Sequence, residues 1–232
     1  MDGVLSAIAI VPSAPVMVPE LAGGAAPELA DLREAVFTAV AGLPSRWVAV
    51  GVGPCDQVVG PDQAGTFAGY GVDVRVALSP GGDGDPVAMP LCALITGWVR
   101  GAARSEASAE VRVFSEGHDI DAALAHGERL RAEIGEGGNP VGVLVVADGA
   151  NTLTPSAPGG FDPDSVAVQA ALDDALAGGE TAPLARLPAS VVGRVAFGVL
   201  AGLVGPGPRS AKELYRGAPY GVGYFTGLWQ PR

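Results

Sequence analysis

The sequence predicts one α/β domain over residues 1–232, with a mixed, mostly parallel sheet and helices on both faces. Three observations lead there. Continuous apolar runs of strand length stand at Val4–Val11, Trp47–Val52 and Val141–Val146, the pattern of strands covered on both sides. Segments of helical periodicity separate them, at the lengths that parallel crossovers need. The 35 glycines and 20 prolines are too many for a helical bundle and suit many short loops.

The elements follow in order. Val4–Val11 reads as a buried strand leading into a loop with Pro12, Pro15 and Pro19. Leu29, Leu32, Ala35, Val36, Ala39 and Val40 recur at helical spacing, and Gly42 and Pro44 stop that helix. Trp47–Val52 is the second strand, and residues 53–71 are loop-like. Val72, Val74 and Val76 alternate with Asp73 and Arg75 as in a half-exposed strand. Ser79–Asp85 is a surface loop, and Pro86 is placed in the first turn of a helix reaching Ala102. Val111–Phe114 is a short strand, Asp119–Ile134 an amphipathic helix and Val141–Val146 the clearest strand of all. Helices are expected over 164–177 and 188–203, and a closing strand over Tyr220–Phe225.

Composition excludes several functions. The net charge of −11 repels phosphate backbones, so no nucleic-acid partner is expected. Two cysteines in unlike contexts, Cys55 and Cys92, point to reduced thiols in a cytoplasm. The first charge is Asp2, so no basic leader region precedes residues 4–11. The apolar stretch Val191–Val204 is interrupted by Arg194 and three glycines, which suits a buried helix and no membrane span.

Few residues carry chemistry. The only histidines, His118 and His126, are eight positions apart, too far for an i, i+4 ligand pair on one helix, and His118 is placed ahead of that helix, beside Gly117. They read as isolated surface residues, and no metal site is assigned. Asp83 with Asp85, and Asp162 with Asp164, read as solvated turns without an EF-hand spacing. Gly51-Val52-Gly53 lacks the rest of a dinucleotide fingerprint, and Gly221-Val222-Gly223 reads as a place of close backbone approach within a strand. Ser13 and Cys55 each follow a strand beside a proline and are the available nucleophiles, without a neighbouring histidine or cation to activate them.

Four motifs in order resemble the class III extradiol ring-cleavage dioxygenases, the LigB-type fold. They are Val11-Pro12-Ser13-Ala14-Pro15 with Val18-Pro19-Glu20; Gly53-Pro54-Cys55; Val146 through Pro155, containing Asp148-Gly149-Ala150-Asn151; and Arg216-Gly217-Ala218-Pro219-Tyr220-Gly221-Val222-Gly223-Tyr224. The resemblance implies iron ligands at Ser13, Cys55 and Arg216 (or Gly217), and an acid/base residue at Asn151. Those positions hold histidine, histidine, glutamate and histidine in the family. Four such replacements leave no triad for Fe(II). The expectation is therefore a pocket without a cofactor, in which Ser13, Cys55, Asn151 and Arg216, with Asp148, Thr154 and Tyr220, meet a small molecule or a partner. An arginine there would suit an anion. The alternative is an active Fe(II) dioxygenase using displaced ligands such as Glu213, Asp148, Cys55 or His118. A hydrolase using Ser13 or Cys55 is a third reading. The oligomeric state stays open.

Overall fold

A computed structural model describes residues 5–232. Asp2 and Val4 lie outside the described residues. In chain order the elements are β1 (Leu5–Val11), α1 (Pro19–Ala22), α2 (Ala30–Ala41), β2 (Arg46–Gly53), β3 (Gln57–Val59), β4 (Ala64–Thr66), β5 (Arg75–Ala77) and α3 (Leu91–Ala103). There follow β6 (Ser108–Ser115), α4 (Ile120–Glu136), β7 (Val141–Val146), α5 (Asp164–Gly178), α6 (Thr181–Leu184), α7 (Arg194–Val204), β8 (Ser210–Gly217) and β9 (Tyr224–Gln230).

Seven strands form one sheet in the order β3-β6-β2-β7-β1-β9-β8, while β4 and β5 make a separate antiparallel ribbon. The four central strands are parallel, and β9 turns antiparallel against β1. This is the single-domain, mixed and mostly parallel α/β architecture that the sequence predicts.

Side-chain alternation divides the core in two. Ala9, Val11, Ala49, Leu144 and Val146 face α2 and α3. Ile8, Ile10, Val50, Val143 and Val145 face α4, α5 and α7. Strand β7 is buried at every position because it is central and covered on both sides. Two tryptophans anchor the layers, and each buried indole finds a carbonyl. Trp47 Nε1 donates to Pro44 O at 2.6 Å and Trp229 Nε1 to Leu176 O at 2.8 Å.

Several boundaries depart from expectation. Helix α3 begins at Leu91 with Pro90 as its cap, so Pro86 lies in irregular chain ahead of it. The segment near Val72 extends only over Arg75–Ala77. Residues 53–71 are less loop-like than expected, since β3 and β4 lie there. The final strand starts at Tyr224, and Gly221 (φ +74°) and Gly223 lie in the turn before it. Strand β8 was not foreseen. Lys212, Glu213 and Arg216 make it polar, which suits an exposed sheet edge but hides the strand pattern.

Topology determines where a site can form. After β1 the chain turns to the α2 face, whereas after the adjacent β7 it turns to the α5 face. Strands β2 and β6 diverge in the same way, toward α3 and α4. In open α/β sheets, ligands bind in the crevice at such a divergence, outside the carboxyl edge of the strands.

Candidate functional site

The first crevice, between β1 and β7, is built around Asp148. The backbone that carries it is tied on three sides. Ala147 N bonds Val11 O at 2.9 Å, Gly149 N bonds Gly223 O at 2.8 Å, and Gly193 N bonds Asp148 O at 2.8 Å. Ser13 N donates to Asp148 Oδ1 at 2.8 Å, joining the loop after β1 to the loop after β7. No other hydrogen bond reaches this carboxyl group among the described residues. Asp148 is only partly exposed, and the surrounding protein removes most of the water that would solvate its charge. Burial therefore pushes its pKa up to about 7, against the smaller opposing effect of the Ser13 N–H. Tyr224 is buried beside it. Burial first, and the Asp148 charge second, raise the phenol well above its ordinary value, so it stays protonated.

Gln169 supports this floor. Its Oε1 accepts from Ala150 N at 2.8 Å, and its Nε2 donates to Asp173 Oδ1 at 2.8 Å. The side-chain amide lies so close to Gly149 and Gly223 that a β-carbon at either would collide with it. The expectation that the last glycine motif permits close approach thus holds, although in a turn. Gln169 itself was not foreseen, since nothing in a helix sequence marks a glutamine that will cap a distant loop. Burial pushes Asp173 up to about 6.

The remaining expected residues divide. Thr154 sits against Gly221, in the turn before β9. Asn151 is partly exposed in the loop after β7, where its backbone carbonyl accepts from Gly159 N. Tyr220 donates to Glu28 Oε2 at 3.2 Å. Cys55 is exposed in the loop after β2. Arg216 is exposed on β8 and fully engaged, with Nη2 at 2.5 Å from Glu213 Oε2 and Nη1 at 2.8 Å from Asp174 Oδ1. Its partners are two carboxylates of its own chain. Glu213, a displaced-ligand candidate, is one of them.

The second crevice, between β2 and β6, corrects the reading of the histidines as isolated. His118 Nε2 stands 2.7 and 2.9 Å from the two carboxylate oxygens of Asp56, and its ring centroid is 4.8 Å from that of His126. The three side chains offer donor atoms all within 4.8 Å of one another. Spacing along a helix gave no reason to pair them, and His118 precedes α4 as the sequence predicts. It sits in a turn closed by His118 N to Ser115 O at 3.1 Å. Asp119 then caps the helix, accepting from Ala122 N at 2.8 Å. Asp56 is held below its ordinary pKa first by the Ser115 N–H and then by His118. Burial, followed by Arg129, lowers His126.

A solved bacterial structure shares this architecture. The crystal structure of the uncharacterized protein JW3007 from Escherichia coli K12 superposes with a TM-score of 0.59 at 11% sequence identity, over 97% of this chain and 99% of that one. At that identity the likeness concerns the fold alone. No family model and no curated protein matches the chain.

Proposed function

We propose that this chain is a diverged relative of the LigB-type extradiol dioxygenases that binds a small hydroxylated molecule in the Asp148 recess without cleaving it. Asp148 carries the reading. Its carboxyl group is held by one backbone N–H, is otherwise unpartnered among the described residues, and changes protonation near neutrality at pH about 7. Such a group can accept from a ligand hydroxyl when ionised and donate to one when protonated. Tyr224 adds a protonated phenol beside it.

The residues at the four resemblance positions do not fit an iron ion. Ser13 offers a weak neutral donor, Cys55 a lone exposed thiol, and Arg216 a cation already paired with Glu213 and Asp174. No reaction step is drawn through iron there. The ion pairs of Arg216 also argue against the expectation that it receives an anionic ligand. Two free thiols, one exposed and one buried, suit a reducing cytoplasm. No helix of the described residues is long and apolar enough to cross a membrane.

Catechol and 4-hydroxybenzoate are suitable probes. In a thermal-shift titration, either is expected to raise the melting temperature of the wild type and to lose that effect in Asp148→Asn. The same shift in both proteins, or none with any hydroxylated probe, would remove the recess as the binding site.

A further inference from the structure

We propose that Asp56, His118 and His126 form a binding site for one divalent transition-metal ion, separate from the Asp148 recess. Two imidazoles and a carboxylate are the donor set that borderline metals such as zinc and iron(II) take in open sites. The donors come from three separate places: the loop after β2, the turn before α4, and the first half of α4. The fold alone brings them together. Their donor atoms lie within 4.8 Å of one another. Donors around a four-coordinate ion with bonds of about 2.0–2.2 Å stand roughly 3.4 Å apart. Small side-chain rotations would close that difference.

The surroundings support the arrangement. Asp56 Oδ1 accepts from Ser115 N at 2.6 Å, and Glu116 N bonds Gly53 O at 3.0 Å, so the loops after β2 and β6 are fastened to each other. Arg194 holds the His118 turn from below, with Nη2 at 2.9 Å from Glu116 O and Nη1 at 3.1 Å from His118 O. The His126 ring packs on Phe114, centroid to centroid 4.7 Å. Such outer contacts orient ligands in metal sites. Side-chain exposures of 49% for Asp56 and 25% for His118 leave coordination positions open to water or a further ligand. The Arg129 guanidinium opposes the site. Arg129 Nη2 lies 2.7 Å from His126 Nδ1, but Arg129 is an exposed side chain and can swing into solvent.

Zinc binding to the chelator-stripped full chain tests the proposal, followed by calorimetry and by proton NMR. The chain has two histidines, so both imidazoles can be followed directly. One equivalent of Zn²⁺ is expected to shift both sets of imidazole signals together. Asp56→Asn and His126→Ala are each expected to weaken binding at least tenfold while retaining the wild-type melting transition. Arg129→Ala should bind as tightly or more tightly. Stoichiometry that survives both ligand substitutions, signals of only one histidine moving, or a loss in Arg129→Ala as large as in His126→Ala would overturn it. None of these outcomes depends on whether hydroxylated molecules bind at Asp148.

Discussion

At Asp148 the fold holds a carboxyl group where its charge is poorly solvated, and the consequence is a dependence of stability on pH. The group ionises near 3.8 in an unfolded chain and near 7 in the folded one. Below pH 3.8 both states are protonated and the group costs nothing. Between pH 3.8 and 7 the unfolded chain gives up its proton first, so stability falls as pH rises, and above 7 the penalty is complete at roughly 2–4 kcal/mol. Asp173, pushed up to about 6, acts in the same direction. Asn at position 148 keeps an acceptor for the Ser13 N–H without the charge. Asp148→Asn is therefore expected to raise the melting temperature by ~4–8 °C at pH 8 and hardly at all at pH 4, as read by scanning calorimetry. Equal shifts at both values would contradict this account of Asp148. The cysteines give a second expectation. Cys55 is exposed, while burial pushes the thiol of fully buried Cys92 up to about 12. A thiol reagent should titrate one cysteine in the native protein and two in denaturant.

Between elements, helices α4 and α7 pack tightly against each other. Their packing depends on two glycines. A β-carbon at Gly127 would strike the backbone of Val199 and Leu203, and one at Gly202 would strike the backbone of Leu124. Backbone cannot rotate away as a side chain can, so the helices would have to separate. Gly127→Ala is expected to cost ~3 kcal/mol in urea unfolding. Because His126 is the preceding residue, the substitution should also weaken any zinc binding. A cost below ~1 kcal/mol would mean that the helices adjust more freely than this packing implies. The sequence made some elements legible and hid others for physical reasons. Strand β7 is five apolar side chains and one glycine covered on both faces, so its pattern is unmistakable. Strand β8 is a charged sheet edge, where solvation rather than burial selects the side chains. Helix α3 starts at Leu91, because the stretch after Pro86 is held instead by the ribbon, with Val87 N bonded to Ala64 O.

Across the whole molecule, two cores on opposite faces of one sheet place every strand-end loop of interest on a single edge. That much could be read from apolar runs and the prolines that follow them. Which side chains would meet there could not. Arg216 was expected in the recess, but it is taken up by Glu213 and Asp174, one beside it on β8 and the other on α5. The Asp56–His118–His126 group was missed because its members are joined by tertiary folding, not by any spacing along one helix. Close approach at the last glycine motif, by contrast, was legible, and the Gln169 amide stands where a β-carbon of Gly223 would lie. The central proposal is that a LigB-like loop frame around Asp148 binds its ligand without ring-cleavage chemistry. Its most direct test is oxygen consumption by the full chain, incubated anaerobically with Fe(II) and then given catechol in an oxygen electrode. The account predicts no catechol-dependent uptake and no ring-opened product. Uptake that scales with bound iron would contradict it.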